Sequence, residues 1–97
     1  MAMPIHKNAR AGTDAVVKHI DEILRSKFDD NNSTVDVTLS GIRDNIHVVV
    51  VSRKLDRYRT WKTKQRYLWK LIDESDLSEV DKLRISLIMP LSPAELK

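Results

Sequence analysis

Four consecutive valines, Val48 to Val51, end at Ser52, and the fourteen residues that follow, Arg53 to Arg66, carry seven basic side chains. A β-branched run favours a strand, and the absence of polar alternation favours a strand central in a sheet or buried on both faces. The basic block holds Arg53, Lys54, Arg57, Arg59, Lys62, Lys64 and Arg66, opposed only by Asp56, and so carries +6. The rest of the chain carries −3, so the modest total of +3 conceals a segregated charge. Such a block attracts phosphates or an acidic protein surface, or else is the solvated face of a helix.

The flanking periodicities supply the other elements. Val16, Val17, Ile20, Ile23, Leu24 and Phe28 recur at spacings of three and four, predicting an amphipathic helix opened by Thr13 and ending near Phe28. Val35, Val37 and Leu39 alternate with Asp36, Thr38 and Ser40, as in a strand with one wet face. A turn over Gly41 to Asn45 leads into a second strand, Ile46 to Val51, in an antiparallel hairpin. A long helix is expected from about Tyr58 to Glu74, with Trp61, Gln65, Leu68 and Ile72 along its core side. Arg59, Lys62, Arg66 and Lys70 recur on another side of it and are expected to share one face. Asp76 to Glu79 resembles a capping box opening a short helical turn. Leu83, Ile85, Leu87 and Met89 alternate as a third strand, and Ser92-Pro93-Ala94-Glu95 reads as a final helix start.

These elements predict an α+β fold in the order α-β-β-α-α-β(-α). The sheet has three strands, is mixed, runs in the order 1-2-3, and is covered by helices on one face. A length of 97 residues suits one domain over residues 13–97, preceded by a flexible arm over 1–12. The core is expected to rest on Val49 or Val51 against Leu68. No apolar run reaches membrane-spanning length and no signal-peptide core opens the chain, so a cytoplasmic location is expected.

With these residues, that order resembles the BolA-like family, whose fold is similar to the class II KH domain. Asn45 to Ser52, Asn-Ile-His-Val-Val-Val-Val-Ser, resembles the family's second strand, which typically ends in Val-Val-Ser. Leu55-Asp56 resembles the Phe-Glu that follows it, and Lys64 to Trp69 resembles the Arg-His-Arg-Leu-Val-Tyr helix signature. Leu83 to Leu87 stands where the last strand runs, and Ser92 to Leu96 resembles the Thr-Pro-Glu-Glu-Trp ending. The resemblance implies a small regulatory or adaptor domain. It also implies a monothiol glutaredoxin as a partner, sharing an iron–sulfur cluster through a family histidine. Here the signature histidine falls on Gln65, and the last-strand histidine falls within Lys82 to Arg84, where no His exists. The fold and a binding role carry over; no cluster, other cofactor or metal is expected.

The chemistry-bearing residues are sparse. There is no Cys, which excludes disulfides and thiolate ligands. His6, His19 and His47 fall on different predicted elements, and His19 reads as a packed or exposed structural residue without companions at ligand spacing. Gly12 and Gly41 are the only glycines, too few for a phosphate-cradling loop or a GXXG grip. Catalysis is therefore not expected. Tyr58, Trp61, Tyr67 and Trp69 are interleaved with the cations, and bases stack on such rings. Trp61, in line with Leu68 and Ile72, reads as core; an exposed Trp69 would mark a binding surface. The candidate site is Arg53, Lys54, Arg57, Arg59, Lys62, Arg66, Lys70 and Trp69. Its expected ligand is DNA or RNA, bound without base-specific readout. The alternative is an acidic protein partner, either glutaredoxin-like or a second copy of the chain as in a homodimer.

Overall fold

The structure is a computed structural model and describes residues 14–93. The predicted arm over 1–12 and the Ala94-Glu95 half of the final helix start lie outside the described residues.

Helix α1, Ala15–Lys27, is opened by Asp14, whose Oδ1 accepts hydrogen bonds from the Val16 and Val17 amides at 3.0 and 3.1 Å. The predicted helix is present, with its cap one residue later than Thr13. Val17, Ile20 and Leu24 are buried at spacings of three and four, and Phe28 is buried just past the end. Strand β1, Thr34–Leu39, pairs antiparallel with β2, Ile46–Val51, and β2 pairs parallel with β3, Ile85–Leu91, giving the order β1-β2-β3. The fold is α+β with a three-stranded mixed sheet, as the periodicities predict. The hairpin turns through Gly41 at φ 90° and Arg43 at φ 53°, both in the left-handed region.

The central strand is not buried equally on both faces. Ile46, Val48 and Val50 are buried beneath the helices, whereas His47, Val49 and Val51 face the other side and are half-buried. The core partners of Leu68 are therefore Val48 and Val50, and not Val49 or Val51. A one-residue phase error of this kind moves a whole strand to the opposite face.

The third strand departs in the same way. Leu83 is the cap of a preceding helix and is 82% exposed, and β3 begins two residues later. Ile46 pairs with Ile85 but His47 pairs with Leu87, so Ser86 is passed over in a bulge. The bulge switches the alternation. Ile85, Ile88 and Pro90 face the core, while Leu87 and Met89 join His47 and Val49 on the opposite face.

Between β2 and β3 the chain makes three helical pieces. A 3-10 turn over Arg53–Arg57 comes first, then α2 over Trp61–Asp73, then the four-residue α3, Glu79–Lys82. The helix expected from about Tyr58 to Glu74 is present but starts three residues later, because Tyr58 ends the 3-10 turn and Thr60 caps α2. Ser78, and not Asp76, caps α3 by accepting from the Asp81 amide at 3.1 Å. Helices α1 and α2 pack on one sheet face around Ile20, Leu24, Leu68 and Ile72, all fully buried. Gln65, expected on the core stripe, lies at its edge and donates from Nε2 to the Ile88 carbonyl at 2.9 Å.

Candidate functional site

The basic segment begins at a buried serine. Ser52 is fully buried, and its Oγ accepts from the Lys54 amide at 3.0 Å and shares a hydrogen bond of 2.7 Å with Ser33 Oγ. This closes the first turn after the strand. Leu55, also fully buried, then pins the 3-10 turn to the core. The turn carries Arg53 and Arg57 outward, both exposed.

An aromatic stack fixes the passage into α2. The Tyr58 and Tyr67 rings stack with centroids 4.9 Å apart at 25°. Tyr67 meets Phe28 edge-on at 6.3 Å and 83°, and the Arg57 guanidinium lies 5.7 Å from the Tyr58 ring centre. Thr60 and Thr63 then form a reciprocal capping box. Thr60 Oγ1 accepts from the Thr63 amide at 3.1 Å, and Thr63 Oγ1 accepts from the Thr60 amide at 3.3 Å. The box sets Trp61 as the first residue of α2.

The predicted site residues separate into three groups. Arg53, Arg57, Arg59, Lys62, Arg66 and Lys70 are exposed and, among the described residues, enter no ion pair. Lys62, Arg66 and Lys70 recur at spacings of four and share one face of α2; Arg59 precedes the helix and cannot belong to that face. Lys54 serves the scaffold: its Nζ donates to the Lys27 carbonyl at 2.8 Å and lies 3.7 Å from Asp29, beside the C-terminal end of α1. Trp69 is half-buried against the core, as are Tyr58 and Tyr67. Lys64, part of the basic block, is 4% exposed and does not face solvent.

Trp61 reverses its expected role. Seven residues from Leu68, it has the stripe's azimuth, but at the first helical position it precedes the buried part of that stripe and is 42% exposed. The sequence signal for this outcome is Thr60-Trp-Lys-Thr63, whose two hydroxyls mark a helix start. A large side chain at the first position of a helix has no preceding turn to lie on. The exposed aromatic within the basic segment is thus Trp61, not Trp69.

The acids and histidines lie elsewhere. Asp14 receives Arg84 Nη2 at 2.9 Å, and that guanidinium together with the two helix amides holds its carboxyl below the usual range. The same Arg84 donates from Nε to the Asp44 carbonyl at 2.9 Å, which ties the hairpin to the start of α1. His19 Nε2 lies 2.6 Å from Asp76 Oδ1, and this partner raises the imidazole's pKa above its ordinary value. His47 is half-buried on the helix-free sheet face. Among the described residues no three His, Cys, Asp or Glu side chains form a group able to hold a metal ion, and no helix is long and apolar enough to cross a membrane.

The surface carries six exposed cations and one exposed indole on a backbone held by a capped helix, an aromatic stack and a buried serine turn. It suits a ligand with repeated negative charge and a flat apolar element. No family model matches the chain, and no curated protein matches it.

Proposed function

We propose that this chain is a small BolA-like binding domain whose basic surface takes nucleic acid through its phosphates. The observation that carries the reading is Trp61, 42% exposed and flanked in sequence by the exposed Arg59 and Lys62, neither of which enters an ion pair among the described residues. An exposed indole beside cations gives a base a ring to stack on while the cations hold the backbone. The helix and strand order and the mixed sheet support the BolA-like, class II KH-like assignment. Six cations outside ion pairs can meet about four to six phosphates, with a slope of log affinity against log salt of roughly −3 to −5. The side chains typical of base readout, such as paired Asn or Gln, do not accompany them, so binding is weak and sequence-tolerant.

The test is fluorescence anisotropy with short labelled DNA and RNA at low salt, comparing the parent with the double variant Arg59→Glu/Arg66→Glu. Both residues are exposed, so the fold survives the change. Binding should collapse in the variant, while its thermal midpoint stays near that of the parent. The reading fails if the parent shows no binding at about 20 mM salt, where the Debye length exceeds roughly 20 Å. It also fails if binding survives both reversals.

A further inference from the structure

Among the described residues the large hydrophobic side chains that remain exposed are Ile42, Trp61, Val80 and Leu83, at 67, 42, 71 and 82%. They are confined to two ends of the sheet. Strands β2 and β3 are parallel, so the hairpin turn with Ile42 and the helix α3 with Val80 and Leu83 lie at the end where both strands begin. Arg84 bridges to the Asp44 carbonyl and so confirms that these two segments are neighbours. The 3-10 turn follows the other end of β2 and leads to Trp61.

The charges divide the same way. Residues 53–66 carry +6, whereas residues 73–81 carry Asp73, Glu74, Asp76, Glu79 and Asp81 without a single Lys or Arg. Asp76 is paired with His19 and Glu79 with Lys82, but Asp73, Glu74 and Asp81 enter no ion pair among the described residues. The two poles terminate one helix: α2 begins among Arg59 and Lys62 and ends on Asp73 and Glu74. Apart from Lys70 this placement opposes the helix dipole, which favours anions at the start and cations at the end. Helix stability therefore does not explain it.

We propose that copies of this chain associate head to tail, the acidic pole with Val80 and Leu83 of one copy docking on the basic pole with Trp61 of the next. Charge complementarity selects this occupant. A two-fold contact at either pole would set like charges together, whereas a head-to-tail contact pairs opposite ones. Each pole also offers the other an exposed apolar side chain, Trp61 at one and Val80 and Leu83 at the other. The contact uses different surfaces on the two copies, so it propagates into open chains unless its rotation closes a ring. With so few exposed apolar groups the association is weak, concentration-dependent and salt-sensitive. The inference goes beyond the nucleic-acid reading and stands without it, since it needs both poles and nucleic acid needs one.

The test is sedimentation equilibrium from micromolar to millimolar protein at low and high salt, on the parent and two reciprocal variants. Arg59→Glu/Lys62→Glu cuts the basic pole from +6 to +2, and Asp73→Lys/Glu74→Lys cuts the acidic pole from −5 to −1, so each variant alone keeps one native pole and the mixture restores a native pair. All four sites are exposed, and the helical changes move charge in the direction the dipole favours, so folding is retained. The parent's average mass should rise with concentration at low salt and return to the monomer at high salt. Each variant alone should remain monomeric, and an equimolar mixture of the two should associate again. Leu83→Ser in the parent should weaken association several-fold. A parent that stays monomeric at low salt overturns the proposal and leaves the acidic pole to a partner of other composition. A variant mixture that stays monomeric while the parent associates overturns it equally, because some other surface is then responsible.

Discussion

The carboxylate of Asp14 closes two gaps at once: it satisfies the first amides of α1 and pairs with Arg84 across 70 residues of sequence. Asp14→Ala removes both and should lower stability by about 1–3 kcal/mol. Asp14→Asn keeps an oxygen for the amides and loses only the charge pair, so its urea midpoint should lie between the parent and the alanine variant. Equal losses would mean that the cap contributes nothing. Because the folded pKa of Asp14 is depressed, this contribution is present above the ordinary carboxylate pKa and is lost as pH falls through the folded value. His19 behaves in the opposite sense. Its folded pKa is raised by Asp76, so the contribution is full below histidine's ordinary pKa and fades as pH rises through the raised value. An NMR titration should find the His19 pKa falling back in Asp76→Asn; an unchanged value would show that the 2.6 Å contact does not persist in solution. Neither pair was legible in the sequence. Both join residues more than 50 positions apart, and nothing local marks a carboxylate as the partner of a distant cation.

Elements were legible where one period held throughout. The α1 stripe, the β1 alternation and the valine run each became what their spacing predicts. Reading failed where geometry breaks a period without a local signal. The bulge at Ser86 reversed the facing of Leu87 and Met89, and the reading of Ile46 to Val51 as unalternating hid which parity faces the helices. The long helix was legible in its extent, and only its start lies three residues later than Tyr58, where the paired threonines cap it. The basic surface was legible as charge, but its aromatic centre was not, since azimuth alone says nothing of where along a helix burial begins. Leu68, mid-helix and fully buried, does anchor the core, and Leu68→Ala should cost roughly 2–5 kcal/mol by urea denaturation. At the start of the same helix the logic inverts. Lys62 sits in the first turn, where a cation opposes the dipole, so Lys62→Glu should raise stability by about 0.3–1 kcal/mol at low salt, and added salt should erase the gain. A destabilised variant would show that Lys62 makes a contact that outweighs the dipole.

At the scale of the molecule, the sheet separates two surfaces that a single helix connects. Anchoring the basic pole takes a fully buried serine, a fully buried leucine, a four-member stack including Arg57, and a double threonine cap. Much of the local structure from Ser52 to Thr63 therefore braces a backbone from which cations and one indole face solvent. Preorganisation of this kind lowers the ordering cost of binding, whatever the ligand. Nucleic acid and the acidic pole of a second copy are both polyanionic, and both would occupy this surface. One pole cannot hold two ligands, so the two equilibria must be linked, and each must weaken the other. A short DNA or RNA oligomer, titrated into protein concentrated enough to self-associate at low salt, should lower the average protein mass toward that of a one-to-one complex. The variant Asp73→Lys/Glu74→Lys, which keeps the basic pole but cannot self-associate, should bind the same oligomer with higher apparent affinity at high protein concentration, because no competing copy must first be displaced. Assemblies that keep their mass at saturating oligomer would show that the two ligands use separate surfaces. The exposed Trp61 would then belong to only one of them, and Trp61→Ala, measured separately against self-association and against oligomer binding, would identify which.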